Sequence, residues 1–237
     1  MANSEVGPRP ATIAVLLSFV AAYVDTVGFV ALFGLFTAHV TGNFVLIGAA
    51  LAHARGGLIA KLAALPVFVL AVAATTVFVH ARARAAKPAL TGVLLVQTFC
   101  LLGFMAVGIA ASPIVDVDAP LAVFAGLLGV WAMGTQNAAS RLLMGELPPT
   151  TVMTGGVTQF AIDVTYLFGI RSLADEAAAK ARLLKFAPPI VAFAVGAIAG
   201  AAIYAQAGFG ALLVPIVTLF VVLLLLRAAP PAGRNPA

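Results

Sequence analysis

The chain is a succession of apolar runs separated by short polar breaks, and the run lengths predict its elements. Residues 11–36 form the first run, interrupted by Tyr23, Asp25 and Thr26, with Gly28 and Gly34 placed to let another backbone come close. Residues 37–52 form a second, shorter and more polar at its start, which HARGG closes. Residues 58–79 form the third, with Pro66 and the pair Thr75 and Thr76 inside it, and HARARAAK ends it. Residues 89–111 follow, holding Gln97 and Thr98, and then the acidic, proline-bounded turn SPIVDVDAP. Residues 121–143 carry Trp131 and GTQNAAS, and GELPPTT is a loop because Pro148 and Pro149 cannot continue a helix. Residues 152–170 are the sixth run and contain Asp163. RSLADEAAAKARLLK is strongly charged and Ala-rich, and is expected to be a helix lying on the membrane surface. Residues 187–205 and 209–226 are the last two runs, before the polar tail GRNPA.

A membrane-spanning helix needs about 20 mostly apolar residues, but eight apolar runs need not mean eight crossings, and the placement of charge chooses between the possibilities. If all eight runs cross with the N-terminus inside, Arg82, Arg84 and Lys87 fall outside while Asp116 and Asp118 fall inside, against the preference for cationic residues on the inner side. If the second and sixth instead enter and leave on one side, the Arg82 cluster, the Arg171 to Lys185 cluster, Arg227 and Arg234 all lie inside. That arrangement leaves Arg55 and Lys61 on the outer face, but six crossings remain the better solution. Three crossings per half point the two halves in opposite directions, which makes an inverted repeat.

Composition carries the chain into a bilayer. Of 237 residues, 63% are hydrophobic and 9% charged, and the mean hydropathy is +1.14, whereas a soluble domain has about 25% charged residues. The length leaves no room for a separate soluble domain, so residues 1–237 are read as one membrane domain, with repeats at about 11–111 and 121–227. The net charge of +5 sits in clusters between apolar runs, where topology accounts for it and nucleic-acid binding is not needed. The first run extends well beyond the roughly 7 to 15 residues of a secretory signal core, and is read as a retained span. Cys100 is alone and can form no internal disulfide.

Candidate chemistry concentrates in FTAHVTGNFVLIG, residues 36–48, where Thr37, His39, Thr41 and Asn43 interrupt apolar sequence. TTVMTGGVTQFA, residues 150–161, repeats it: Thr37, Thr41 and Gly42 are matched at one constant offset by Thr150, Thr154 and Gly155. Each copy follows an apolar run that carries polar residues, Asp25 in the first half and Gln136 with Asn137 in the second.

VDTVGFVALFGLFTAHVTGN, followed by GTQNAASRLL and TTVMTGG, resembles the YoaK (DUF1275) family of bacterial membrane proteins, in which an early Asp, a TGN motif and a later Gln-Asn pair are characteristic. The resemblance covers nearly the whole chain. It implies a six-span protein of a kind often taken for a transporter, and names no substrate.

Each TG motif reads as the start of a short helix, with Thr41 or Thr154 as a side-chain cap and Gly42, or Gly155 with Gly156, permitting a turn. Unpaired N–H groups at such starts must face protein, water or ligand, since lipid offers no partner. Two helix N-termini converging in this way form a pocket for a small anionic or carbonyl-bearing solute; the competing reading is tight packing on small residues. Asp25 is costly inside a span, about 2.5 to 3.5 kcal/mol on insertion scales, and must be hydrogen-bonded, wet or protonated. It is expected either to relay protons with His39 as partner or to serve as a structural carboxylate. Gln136 and Asn137 either pair with Asp25 or face a cavity and read solute. Asp163 has no first-half counterpart, and is read either as a second proton or cation site or as an interfacial partner of Arg171. His53 and His80 are interfacial, and three scattered His with one Cys do not make a metal site. Ser140 beside Arg141 reads as a helix end, and no nucleophile has a nearby base, so catalysis is not expected.

The expected protein is therefore all-α and polytopic, with six transmembrane helices and two shorter broken or re-entrant helices in a 3+3 inverted repeat. It is expected in the bacterial cytoplasmic (inner) membrane with both termini cytoplasmic. Its expected activity is proton-coupled secondary transport of a small solute, with Thr37, His39, Thr41, Gly42, Asn43, Gln136, Asn137, Thr154 and Gly155 at the substrate site and Asp25 with His39 coupling protons. The rivals are a passive channel or facilitator, and a scaffold or sensor that transports nothing. The expected partners are the solute, the lipid bilayer and a second copy of the chain, with no cofactor.

Overall fold

The computed structural model describes residues 9–53, 57–170 and 173–228. Arg55, Arg171, Arg234 and the tail at 233–237, all used in the topology argument, lie outside the described residues. Among those described there is no strand, and eight α-helices follow in order: α1 Pro10–Ala31, α2 Gly42–His53, α3 Leu58–Arg84, α4 Leu90–Ala111, α5 Pro120–Leu142, α6 Thr154–Thr165, α7 Leu173–Ala207 and α8 Leu213–Arg227. A π-helical turn, Tyr166–Ile170, continues α6, and a 3-10 turn, Gly208–Leu212, joins α7 to α8.

Five helical stretches are long and apolar enough to cross a membrane: α1, α3, α4, α5 and the 52 residues Glu176–Arg227. The last contains both α7 and α8. Gly200 packs on the backbone of Tyr23, in the middle of α1, and α8 packs back on α1 and α4. The chain therefore reverses in the turn at 208–212, where Gly208 takes φ +53°, a left-handed conformation cheap only for glycine. Phe209 locks that turn by stacking edge-on against Phe104 of α4 and Tyr204 of α7, and Tyr23 Oη donates to Ala211 O at 2.9 Å.

The charged stretch does not form a separate surface helix. Its described part, residues 173–185, is the first part of α7, which continues through Pro188 and Pro189. Its Ala, Leu, Glu and Lys content favours helix, and nothing in it forces a break before the apolar run begins.

Helix pairing is reciprocal. α1 packs on α7 and α5 on α3; α2 packs on α3 and α6 on α7; α4 packs on α5 and α8 on α1. Small residues set the closest approaches. A Cβ on Gly196 would collide with Phe19 O, and one on Gly200 would lie 2.8 Å from Tyr23 O. On the other pair, a Cβ on Gly134 of α5 would lie 2.9 Å from Ala71 Cβ of α3. Backbones this close exchange van der Waals contact that lipid cannot match. The successive residues Phe19 and Tyr23 meet Gly196 and Gly200 in the same order, so α1 and α7 run parallel.

Between α1 and α2 the chain turns sharply at Phe33, φ 51°, and Gly34, φ +91°. It then runs back alongside α1, where a Cβ on Gly28 would lie 2.7 Å from Thr37. Lys61 holds the turn: buried at the head of α3, its Nζ donates to Phe33 O at 3.2 Å and Gly57 O at 3.0 Å. Asp118, from the turn between α4 and α5, accepts the Gly57 N–H at 2.9 Å. Lys61 is thus an internal tie, where the sequence suggested a free charge on a face.

Candidate functional site

In the middle of the segment between α1 and α2 the backbone N–H groups of Thr37 and Ala38 find their acceptor in Asp25. Its Oδ1 accepts the Thr37 N–H at 2.7 Å, the Ala38 N–H at 2.7 Å and the Thr37 hydroxyl at 3.2 Å. Its Oδ2 lies 2.6 Å from His39 Nδ1. Of the three ways such a group can sit within a helix bundle, Asp25 takes the hydrogen-bonded one, with its side chain only 7% exposed. Asn43 closes the same segment from the other end: Oδ1 accepts the Phe36 N–H and Nδ2 donates to Phe36 O, both at 2.9 Å.

The second half repeats the device with amides. Gln136 Nε2 donates to Thr150 Oγ1 at 3.0 Å and to Leu17 O of α1 at 2.8 Å, while its Oε1 accepts from Gln97 Nε2 at 2.6 Å. Asn137 Nδ2 donates to Thr151 Oγ1 at 2.7 Å, and Ser140 Oγ accepts the Thr150 N–H at 3.4 Å. Thr37 and Thr150, the matched threonines of the repeat, are both fully buried and each is fastened to the helix that precedes it.

Several expectations about the site need correction. Thr37, Asn43 and Gln136 do not line an opening; they are buried and bound to protein groups. Gln136 and Asn137 bond to the 150–151 segment and not to Asp25. Asp163 pairs with Arg182, accepting from Nη2 at 2.6 Å and Nε at 3.0 Å, and also accepts from Gln159. That ion pair holds α6 against α7. Thr154 opens α6, but no side chain caps it, and neither Gly42 nor Gly155 or Gly156 takes a positive φ. Gly42 is required sterically, since a Cβ there would lie 2.8 Å from the Phe36 ring.

The two TG segments nevertheless meet. A cleft of about 480 Å³ is lined by His39 from the first and by Met153, Thr154 and Thr158 from the second, with Ile190 and Phe193 of α7 as its wall. His39 has 32% of its side chain exposed and stands edge-on to Phe193, with ring centroids 5.7 Å apart. Asp25 grips Nδ1, which leaves Nε2 as the ring nitrogen it does not hold. Thr41 and Gly155 are exposed, Gly42 is half-buried, and none of the three lines the cleft. Phe193 and Thr158 were not legible as site residues, because an aromatic and a threonine within helical runs look like packing.

This arrangement presents an imidazole backed by a carboxylate, the uncapped start of a helix, and an aromatic wall. Imidazole and helix N-terminus are both suited to a carboxylate or carbonyl oxygen. Among the described residues no three His, Cys, Asp or Glu converge to hold a metal.

No curated protein and no solved structure matches the chain. Residues 13–225 match the sequence model of DUF1275, described as a protein of unknown function. That match takes in every helix that builds the cleft and both TG segments, and the chain belongs to the DUF1275 family.

Proposed function

We propose that this protein is a secondary transporter of a small anionic or carbonyl-bearing solute, coupled to protons, with its site in the cleft between His39 and Thr154. The observation that carries the reading is the convergence of the two TG segments, far apart in sequence, on one cleft with the Asp25–His39 pair behind it. His39 offers the solute an Nε2 group, and Asp25 sets the charge that His39 can carry. The N–H groups at the start of α6 supply the second half of an anion site.

In this reading the membrane is crossed six times, by α1, α3, α4, α5, α7 and α8. The 52-residue stretch would be about 78 Å long as one straight helix at 1.5 Å per residue, far more than a bilayer core of about 30 Å, and its reversal at Gly208 makes two crossings of it. α2 and α6 are the re-entrant pair. Exchanging α1 with α5, α2 with α6, α3 with α7 and α4 with α8 turns each helix pairing into another of the same set, which supports a 3+3 inverted repeat. Broken helices meeting between inverted repeats are a recurrent transporter architecture. Burial of Lys61 against Phe33 O and Gly57 O accounts for one of the two outer cations in this topology, in which Arg82, Arg84 and Lys87 lie on the inner side with both termini.

The test is uptake by proteoliposomes with and without an imposed pH gradient, screening small carboxylates and carbonyl compounds. Accumulation of one of them that depends on the gradient and is lost in Asp25→Asn is the expected result. Full uphill accumulation by Asp25→Asn would defeat proton coupling, and gradient-independent equilibration would assign a passive facilitator.

A further inference from the structure

A second pocket, of about 210 Å³ and open at the helix surface where Phe78 and Val96 are exposed, lies between α3, α4 and α5, walled by Thr75 and Phe78, by Val93 and Val96, and by Trp131 and Thr135. None of these residues belongs to the His39 cleft. Its distinguishing feature is Thr135, which is 1% exposed and whose hydroxyl has no hydrogen-bond partner. Elsewhere in these helices the matching hydroxyls are satisfied locally: Ser18, Thr76, Thr98, Thr158, Thr165 and Thr218 each donate to the carbonyl four residues back. Thr135 does not. One position from Val96 on α4 is a second unpaired oxygen, Gln97 Oε1. Its amide orientation is fixed, because Gln97 Nε2 must donate to Gln136 Oε1 while Gln136 Nε2 donates to a backbone carbonyl.

Unpaired buried polar groups are costly and are rarely left so. Water is a poor remedy here, since a buried water wants two to four polar partners and this wall is mostly aromatic and aliphatic. The volume exceeds the roughly 150 Å³ sufficient for a benzene ring in a dry cavity. We propose that this cavity binds a small, neutral, largely apolar molecule bearing one hydroxyl, the class of phenols and short alcohols, with Thr135 donating to that hydroxyl. Phe78 and Trp131 supply the apolar contact.

Trp131 is the only tryptophan in the chain, so ligand entry reads directly on intrinsic fluorescence. The protein in phosphatidylcholine nanodiscs is titrated with 4-bromophenol and with bromobenzene, both bromine quenchers, at concentrations corrected for partition into lipid. Saturable quenching by 4-bromophenol at about 5-fold lower concentration than bromobenzene is expected, the worth of one hydrogen bond. Thr135→Val should abolish that preference and leave bromobenzene unchanged, and Thr135→Ser should keep it. Non-saturating quenching, equal response to the two probes in the wild-type protein, or a preference that survives Thr135→Val would each overturn the proposal. The wild-type comparison decides without any variant having to fold.

Discussion

Asp25 Oδ2 stands 2.6 Å from His39 Nδ1, while Oδ1 of the same carboxylate holds the backbone of Thr37 and Ala38. One side chain therefore fixes the path of the broken segment and the charge behind the cleft. The two roles separate by substitution. Asp25→Ala leaves two buried N–H groups unpaired, at about 1 to 3 kcal/mol each, and should lower the unfolding temperature in detergent clearly. Asp25→Asn keeps an acceptor for both and should lose less than half as much stability while losing accumulation. Equal destabilisation by the two would mean that the carboxylate charge itself is structural.

Asn43 makes two hydrogen bonds to one residue, Phe36. Asn43→Ala should cost about 2 to 4 kcal/mol, two unpaired backbone groups partly relieved by relaxation. Asn43→Asp retains the acceptor for the Phe36 N–H but sets a second acceptor against Phe36 O, so it should be no better than alanine. Thermal unfolding of the two variants side by side measures this.

Asp163 is fully buried and Arg182 is partly exposed. Removing the guanidinium strands a carboxylate, whereas removing both charges does not. Arg182→Met should therefore destabilise by somewhat less than the 3 to 5 kcal/mol typical of a fully buried pair, and Asp163→Asn combined with Arg182→Met should recover most of the loss. A double variant no more stable than Arg182→Met alone would show that the pair is not what fastens α6 to α7.

Thiol labelling distinguishes exposed from fastened positions. In a Cys100→Ala background, cysteine at 41 or 154 should react with an aqueous reagent, and cysteine at 37 or 150 should not, because Thr37 and Thr150 are fully buried. Reaction at 37 under native conditions would show that the segment leaves Asp25. Silence at both 41 and 154 would favour the scaffold reading over any carrier.

Close packing on glycine makes a further prediction. Gly196→Val must push α7 off the carbonyl of Phe19, and a clash with backbone cannot be relieved by a side-chain rotation. It should destabilise by more than 3 kcal/mol, beyond the 1 to 3 kcal/mol usual for overpacking, or abolish folding. Gly155→Ala, which meets nothing within 4 Å, should unfold at the wild-type temperature.

Run length and turn residues located the helices well, because apolar length and proline placement are properties of local sequence. The predicted end at 111 is the observed end of α4, and the predicted end at 143 lies one residue past that of α5. The recurrence of Thr37, Thr41 and Gly42 at Thr150, Thr154 and Gly155 pointed to both segments that break the helical pattern. What local sequence cannot carry is direction. Thr37, Asn43 and Gln136 are polar because they bind other parts of the chain, yet their composition reads the same as that of groups lining water. Arg182 was invisible as the partner of Asp163 because it lies in the next helix, and only the folding of α7 against α6 brings it there.

The pairing of α1 with α7 bears on how the molecule is made. α1 leaves the ribosome long before α7, so the face of α1 that meets Gly196 and Gly200 must wait in lipid while α2 to α6 are synthesised. Leu17 O likewise lacks its partner until α5 brings Gln136. Assembly of this bundle therefore cannot finish one half at a time: a chain cut short after α5 would hold a first helix whose α7-facing side is bare, an exposed seam that quality-control proteases of the membrane can grip.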